Sequence, residues 1–285
     1  MPFTLSHAAA VLPAVRTDGG GRGRLIPAVL VAGSFSPDMP YFAASAIPGA
    51  MEFGSVTHSF PGVVTVDVAI AWALVGLWLL IREPLVALLP RAWQPRPAAL
   101  LRCGTPRARL RPSLLLRWYA SAALGALTHV VWDAFTHHDR WGVRLFPVLN
   151  DTVAGSPLYW FMQYGGSVVG AAVIAGWVGR ALRRVVPATG PVGVAALSVR
   201  DRLLAGVVIG GCALVVGVER AARWWAYWRA TAKPWELIAP LCFGVGAGLV
   251  LGLLLYVVGM RVWRPAAAAA EPERVSVGQG RPGGR

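Results

Sequence analysis

Residues 113–135 read SLLLRWYASAALGALTHVVWDAF, and Thr136, His137, His138 and Asp139 follow directly. Apart from Arg117 near its start, the run is apolar until His129 and Asp133. It is long enough to cross a bilayer, which takes about 20 predominantly apolar residues. The stretch also contains or abuts three of the five histidines in the 285-residue chain. One segment therefore predicts a membrane-spanning helix whose far end carries ionisable groups. Such groups are costly in a bilayer unless they are paired, hydrated or metal-bound.

Four more runs share this character: 62–81 (GVVTVDVAIAWALVGLWLLI), 158–182, 203–218 and 237–260. Hydrophobic residues make up 56% of the chain and charged residues 14%, with mean hydropathy +0.56. Soluble domains carry about 25% charged residues. The expected fold is therefore all-α: a polytopic helical membrane bundle with five long spans. The first residues, MPFTLSHAAAVLP, have neither a basic start nor a long apolar core, so no cleaved signal peptide is expected.

The formal net charge of +14 follows the membrane. Arg82, Arg91, Arg96, Arg102, Arg107, Arg109 and Arg111 fill one connection, and Arg180, Arg183, Arg184, Arg200 and Arg202 flank another. Cytoplasmic loops collect Lys and Arg, so both connections are placed inside, and nucleic acid is not expected as a partner. The connection 219–236 would then lie outside although it carries Arg220, Arg223, Arg229 and Lys233. Its RWWAYWR core reads as an interfacial segment with aromatic rings at headgroup depth.

Two apolar stretches near the start, 3–15 and 25–39, are shorter than a normal span, and Arg16, Arg22 and Arg24 lie between them in a glycine-rich turn. They predict an N-terminal hairpin of two short helices. Residues 1–264 then form a single membrane domain. Its parts are a hairpin and outer loop (1–61), the spans bearing polar residues (62–138) and supporting spans (158–264). The Pro/Gly-rich tail 265–285 is expected to be disordered. Gly166 and Gly170, and the row Gly244, Gly248 and Gly252, have small-residue spacing for helix packing. Cys103, Cys212 and Cys242 form neither a metal-type pair nor an even framework.

Residues four apart on a helix share a face, so His129 and Asp133 can address one small object, with His137 next along the stripe. Gly125, one turn earlier, leaves that face uncrowded. From Arg117 to Asp133 is about 24 Å of helix, which puts Asp133 near the outer surface. In this topology His7, Asp38 and His58 also map to the outer side. Imidazoles with carboxylates suit zinc or another first-row divalent ion, manganese or iron included. Asp67 is counted by helical rotation onto the face opposite His58 and left as a polar contact without a role.

The segments MPFTLSHAAAVLP, GSFSPDMPYF, THSFPG and HVVWDAFTH, in that order, resemble a family of bacterial integral membrane proteins usually described only as a domain of unknown function. The same order is similar to predicted membrane-bound metal-dependent hydrolases. More distantly, it resembles the zinc-dependent phospholipase C and single-strand-nuclease superfamily, whose ligands run His, Asp, His, then H-x-x-x-D on a helix. His7, Asp38, His58, His129 and Asp133 match that order. The likeness implies that Asp38, His58, His129 and Asp133 hold one ion, and that Asp133 bridges to a second ion held by His7. His137 or His138 would be a further ligand. The chain lacks a second H-x-x-x-D and starts with Met1 instead of a processed Trp, which implies one or two ions and not three.

On this reading the protein is a hydrolase in a bacterial cytoplasmic membrane, its site facing outward, acting on a phosphoester or lipid-linked substrate. A divalent ion polarises a phosphoryl oxygen and acidifies water, Asp38 or Asp133 orients that water as a general base, and Thr57, Ser59 or Thr136 supports the ligands. Two other readings compete. One is a non-enzymatic membrane protein with a structural metal or polar cluster. The other is a metal transporter, which would spread ionisable groups along a path where this chain gathers them at one end.

Overall fold

A computed structural model describes residues 3–104, 111–187, 194–231 and 233–263. The expected disordered tail lies outside the described residues. After short helical turns over Thr4–His7, Ala8–Val11 and Leu12–Ala14, the chain forms α1 (Pro27–Phe35). Five long helices follow: α2 (Val66–Ala87), α3 (Pro112–Ala134), α4 (Leu158–Arg184), α5 (Val199–Trp228) and α6 (Ile238–Trp263). Each is long and apolar enough to cross a membrane, α6 together with the turn that precedes it. Among the described residues the only strands are β1 (Thr152–Val153) and β2 (Ser156–Pro157), one small hairpin. The chain is an all-α multi-pass membrane bundle with a short helical hairpin at its start.

The long helices run up and down between two ends of different chemistry. At one end, Arg96 donates to the carbonyls of Leu182 (2.9 Å) and Arg183 (3.1 Å). Arg117 donates to the carbonyl of Arg24 (2.7 Å), and the Tyr256 hydroxyl donates to that of Pro84 (3.0 Å). The arginine-rich connections therefore gather together. At the other end, Arg220 donates to the Ser45 hydroxyl (2.8 Å) and Arg223 to the Ser45 carbonyl (3.1 Å). These two arginines belong to α5, which continues ten residues past the expected span and reaches over the loop after Asp38. Helix α5 has 30 residues, about 45 Å at 1.5 Å per residue, so its ends project beyond a hydrocarbon core of about 30 Å.

Two packing regimes divide the bundle. Helix α1 lies against α2 and α3 around Val29, Ala32, Val68, Ala71, Val75 and Ala122, all buried. Helices α5 and α6 pair with each other, while Leu203, Leu204, Val207, Leu214 and Val215 stay about two-thirds exposed, as befits lipid-facing positions. The rows of small residues explain how close the pair comes. A Cβ added at Gly248 would lie 2.3 Å from the Cys212 carbonyl oxygen, and one at Gly244 or Gly252 within 2.8 Å of α5 backbone atoms.

Candidate metal centre

Four segments meet at the end of the bundle opposite the arginine-rich loops. Helix α3 supplies His129 and Asp133, one turn apart and buried. The Ser36–Asp38 turn that ends α1 supplies Asp38. The residue after the short helix Gly54–Thr57 is His58, and the first helical turn of the chain supplies His7. One ligand atom from each of Asp38, His58, His129 and Asp133 lies within 4.8 Å of all the others.

Glycine sets the depth of this meeting. A Cβ at Gly125 of α3 would sit 2.2 Å from the Leu30 carbonyl oxygen, and one at Gly33 of α1 would sit 2.3 Å from that of Ala122. The two backbones touch there, and the contact brings the Ser34 carbonyl 2.8 Å from Nδ1 of His129. His58 is fixed in the same manner, its Nδ1 2.9 Å from the Gly54 carbonyl. A carbonyl only accepts, so in both rings Nδ1 carries a proton and Nε2 is the nitrogen that faces inward. This is how metal-binding histidines are oriented by their surroundings. The Thr57 hydroxyl donates to the Pro37 carbonyl at 2.7 Å, joining the turn that carries His58 to the one that carries Asp38.

The spacing of the inward atoms is informative. His58 Nε2 lies 3.6 Å from Asp38 Oδ1 and 3.6 Å from Asp133 Oδ2. His129 Nε2 lies 3.5 Å and 3.4 Å from the same two oxygens. Charge-assisted N–H···O⁻ bonds run about 2.7–2.9 Å, so these contacts are too long to be good hydrogen bonds. Tetrahedral ligands bonded at about 2.0–2.1 Å to zinc stand about 3.3–3.4 Å apart, close to the edges seen here. Two carboxylates and two Nδ1-anchored imidazoles form a donor set that fits a divalent ion.

The outer oxygens have separate partners. Asp38 Oδ2 accepts a short hydrogen bond from the Thr4 hydroxyl. Asp133 Oδ1 faces Nε2 of His7 at 3.4 Å and Nδ1 of His137 at 3.5 Å. The His7 ring is stacked on that of His129, centroids 3.6 Å apart and 12° from parallel, and is almost wholly buried. Among the described residues neither of its nitrogens has a hydrogen-bond partner. It is held there by its neighbour Ser6, whose hydroxyl donates to the Ser167 carbonyl (3.0 Å) beside Gly170 of α4.

His137 is adjacent to the quartet and not part of it. Its Nδ1 also meets the Thr136 hydroxyl (3.2 Å) and the Asp133 carbonyl (3.3 Å), and its Nε2 meets the Gln163 amide at 2.9 Å. Burial, the largest influence, pushes the His137 imidazole down to about 4, so it is neutral at ordinary pH. Burial pulls His58 down as well, but the facing carboxylates of Asp133 and Asp38 outweigh it and leave that imidazole above its ordinary value. His138 is exposed and packs near the Tyr159 ring.

Sequence reading misjudged two supports. Ser59 caps the helix Phe60–Val64, accepting from the Gly62 N–H at 3.1 Å, whereas Thr136 bonds within its own turn and also meets Nδ1 of His137 at 3.2 Å. Thr4, whose hydroxyl does reach Asp38, goes unread because nothing in its local sequence marks it. The helical count that sets Asp67 opposite His58 does not apply. The chain is not one helix from His58 onward: it breaks at Thr65 (φ −124°, ψ −87°) before α2 begins. Rotation counted across that break fails. Asp67 is fully buried, within electrostatic reach of His58 and His129, and among the described residues neither carboxyl oxygen has a hydrogen-bond partner.

A cavity of about 20 Å³ opens beside the quartet, lined by His58, Val130, Asp133, Ala134, Arg140 and Trp141. That is room for about one water molecule, against the His58 imidazole and the Asp133 carboxylate.

Residues 1–258 match the model of a family described as Domain of unknown function (DUF4184), and the chain belongs to that family. No curated protein and no solved structure matches the chain.

Proposed function

We propose that this member of the DUF4184 family is a membrane-bound metal-dependent hydrolase, acting on a phosphoester or lipid-linked substrate at the extracytoplasmic face of a bacterial cytoplasmic membrane. The observation that carries the reading is the ring of 3.4–3.6 Å contacts among Asp38, His58, His129 and Asp133, with the Nδ1 positions of both histidines anchored on backbone carbonyls. Zinc suits that donor set best; manganese or iron are the other candidates. The arginine-rich end of the bundle is assigned to the cytoplasm, which turns the site outward. A second ion would rest on the outer oxygen of Asp133 and on His7, with His137 as a neutral third donor.

When bound, the ion supplies Lewis-acid polarisation of a phosphoryl oxygen and acidification of water. The chain's own residues do the rest. Asp38 holds its place as a ligand, its outer oxygen engaged by Thr4. Asp133 borders the small cavity and is the better-placed carboxylate to orient a water as general base. The layer beneath the site is the apolar core of Val68, Ala71, Val75 and Ala122. That favours a site open at one end over a route through the bilayer.

The test is elemental mass spectrometry of the detergent-purified protein beside the His129→Ala/Asp133→Ala double variant. The expected result is one or two equivalents of a divalent metal in the native chain and none in the variant. A native chain that stays metal-free after reconstitution with zinc, manganese and iron would overturn the reading and leave a structural polar cluster.

A further inference from the structure

Arg140 is the one arginine or lysine among the lining of the cavity beside the quartet. It directly precedes the short helix Trp141–Leu145, and that helix is seated firmly on the end of α3. A Cβ at Gly142 would meet the Ala134 carbonyl oxygen at 2.6 Å, so the segment cannot lift without breaking that contact. The side chain of Arg140 is half-buried and lies beside the Tyr41 phenol, whose ring leans on His58 with centroids 5.6 Å apart. Its neighbour Asp139 is committed elsewhere, gripping Arg144 through two 2.9 Å bonds.

A guanidinium beside a cation site needs a reason. The two carboxylates of the quartet and one divalent ion are together neutral, so Arg140 is a positive charge that the loaded quartet does not balance. A half-buried positive charge of this kind asks for an anion, and the planar guanidinium matches two oxygens of a phosphate at once. Trp141, which lines the same cavity, belongs to an aromatic cluster. Trp141 packs against Phe60 (centroids 6.1 Å) and Phe135 (5.4 Å), and Phe135 against Phe146 (5.9 Å). Phe60, Trp141 and Phe146 are each at least 40% exposed. Aromatic rings of this kind settle at headgroup depth.

We infer that Arg140 binds a phosphoryl oxyanion at the mouth of the metal site, and that it selects phosphate esters over uncharged esters or amides. This rests on the proposed metal centre. The phosphoryl group could belong to a lipid headgroup or to a soluble ester; the recognising chemistry is the same.

The experiment measures inorganic phosphate binding by calorimetry to the metal-loaded full chain, native and with Arg140→Ala or Arg140→Lys. Metal content is determined on the same samples. Loss of a charge-assisted contact worth about 1.5–3 kcal/mol weakens binding about 10- to 100-fold, so Arg140→Ala is expected to show that loss with metal unchanged. Arg140→Lys, a point charge without the fork, should recover part of it. Equal phosphate affinity in all three proteins with metal present would overturn the role of Arg140 and leave the metal centre standing. A native chain without metal would bring both down. Repeating the titration in phosphatidylcholine nanodiscs with and without phosphatidic acid identifies the source. Competition by phosphatidic acid supports a lipid-borne phosphate and its absence a soluble one, and in either case the oxyanion is the ligand.

Discussion

At Gly33 and Gly125 the backbones of α1 and α3 touch, and at Gly244, Gly248 and Gly252 those of α5 and α6 do the same. The device is identical, yet its consequences differ. Between α1 and α3 the contact delivers the Ser34 carbonyl to His129, and with it the orientation of a ring in the candidate metal centre. Between α5 and α6 the same approach only pairs two helices whose other faces remain exposed. Small residues at a helix crossing thus act as a packing element or as part of a site, depending on which polar group the approach brings within reach. The first half of the chain is specialised for position and the last two helices for support.

Substituting the glycines separates the two uses. In Gly125→Ala the new methyl meets the Leu30 carbonyl, α1 must back away, and the Nδ1 anchor of His129 lengthens. Loss of such a support costs about 10- to 100-fold in metal affinity, and overpacking costs about 1–3 kcal/mol of stability. Metal titration and a thermal melt should both show the damage. Gly248→Ala should lower the melting midpoint by a similar stability penalty while metal affinity stays native. If Gly248→Ala also lost metal, the division between a positioning half and a supporting half would collapse.

A finer version of the comparison uses Thr4. Its hydroxyl holds the outer oxygen of Asp38, so Thr4→Val keeps the shape and removes the bond. Metal affinity is expected to fall about tenfold, at the low end for an outer partner of a ligand, with the melting midpoint of the metal-free protein changed little. No change in metal affinity would mean that Asp38 is held by the metal alone.

How much of this was legible in the sequence follows from the range of each interaction. Hydropathy is local, so the five spans could be read directly, and the i, i+4 pair His129/Asp133 follows from helix geometry alone. Ligand order also pointed to His7, Asp38 and His58. Their convergence did not follow, because it depends on the Gly33–Gly125 contact and on the Thr57–Pro37 bond that joins two turns. Thr4 and Arg140 act across long sequence distances and carry no pattern of their own. The basic residues of 219–236 resisted a topological reading because two of the four, Arg220 and Arg223, are spent on Ser45.

Asp67 is the sharpest remaining test, because it is a fully buried carboxylate in the positioning half that lies outside the quartet. Every residue of the quartet has its geometry supported: His58 and His129 by carbonyls, Asp38 by Thr4, Asp133 by flanking imidazoles. Among the described residues Asp67 has no such support, and the Nε2 atoms of His58 and His129 point at Asp38 and Asp133 instead. A buried carboxylate without hydrogen bonds is a cost to the fold, so Asp67→Asn should not lower the melting midpoint. Metal content should match the native chain, whereas His58→Ala should lose its metal. Loss of metal in Asp67→Asn to the same degree as in His58→Ala would make Asp67 a fifth ligand. It would also mean that a lack of supporting hydrogen bonds does not separate a bystander from a ligand in this bundle.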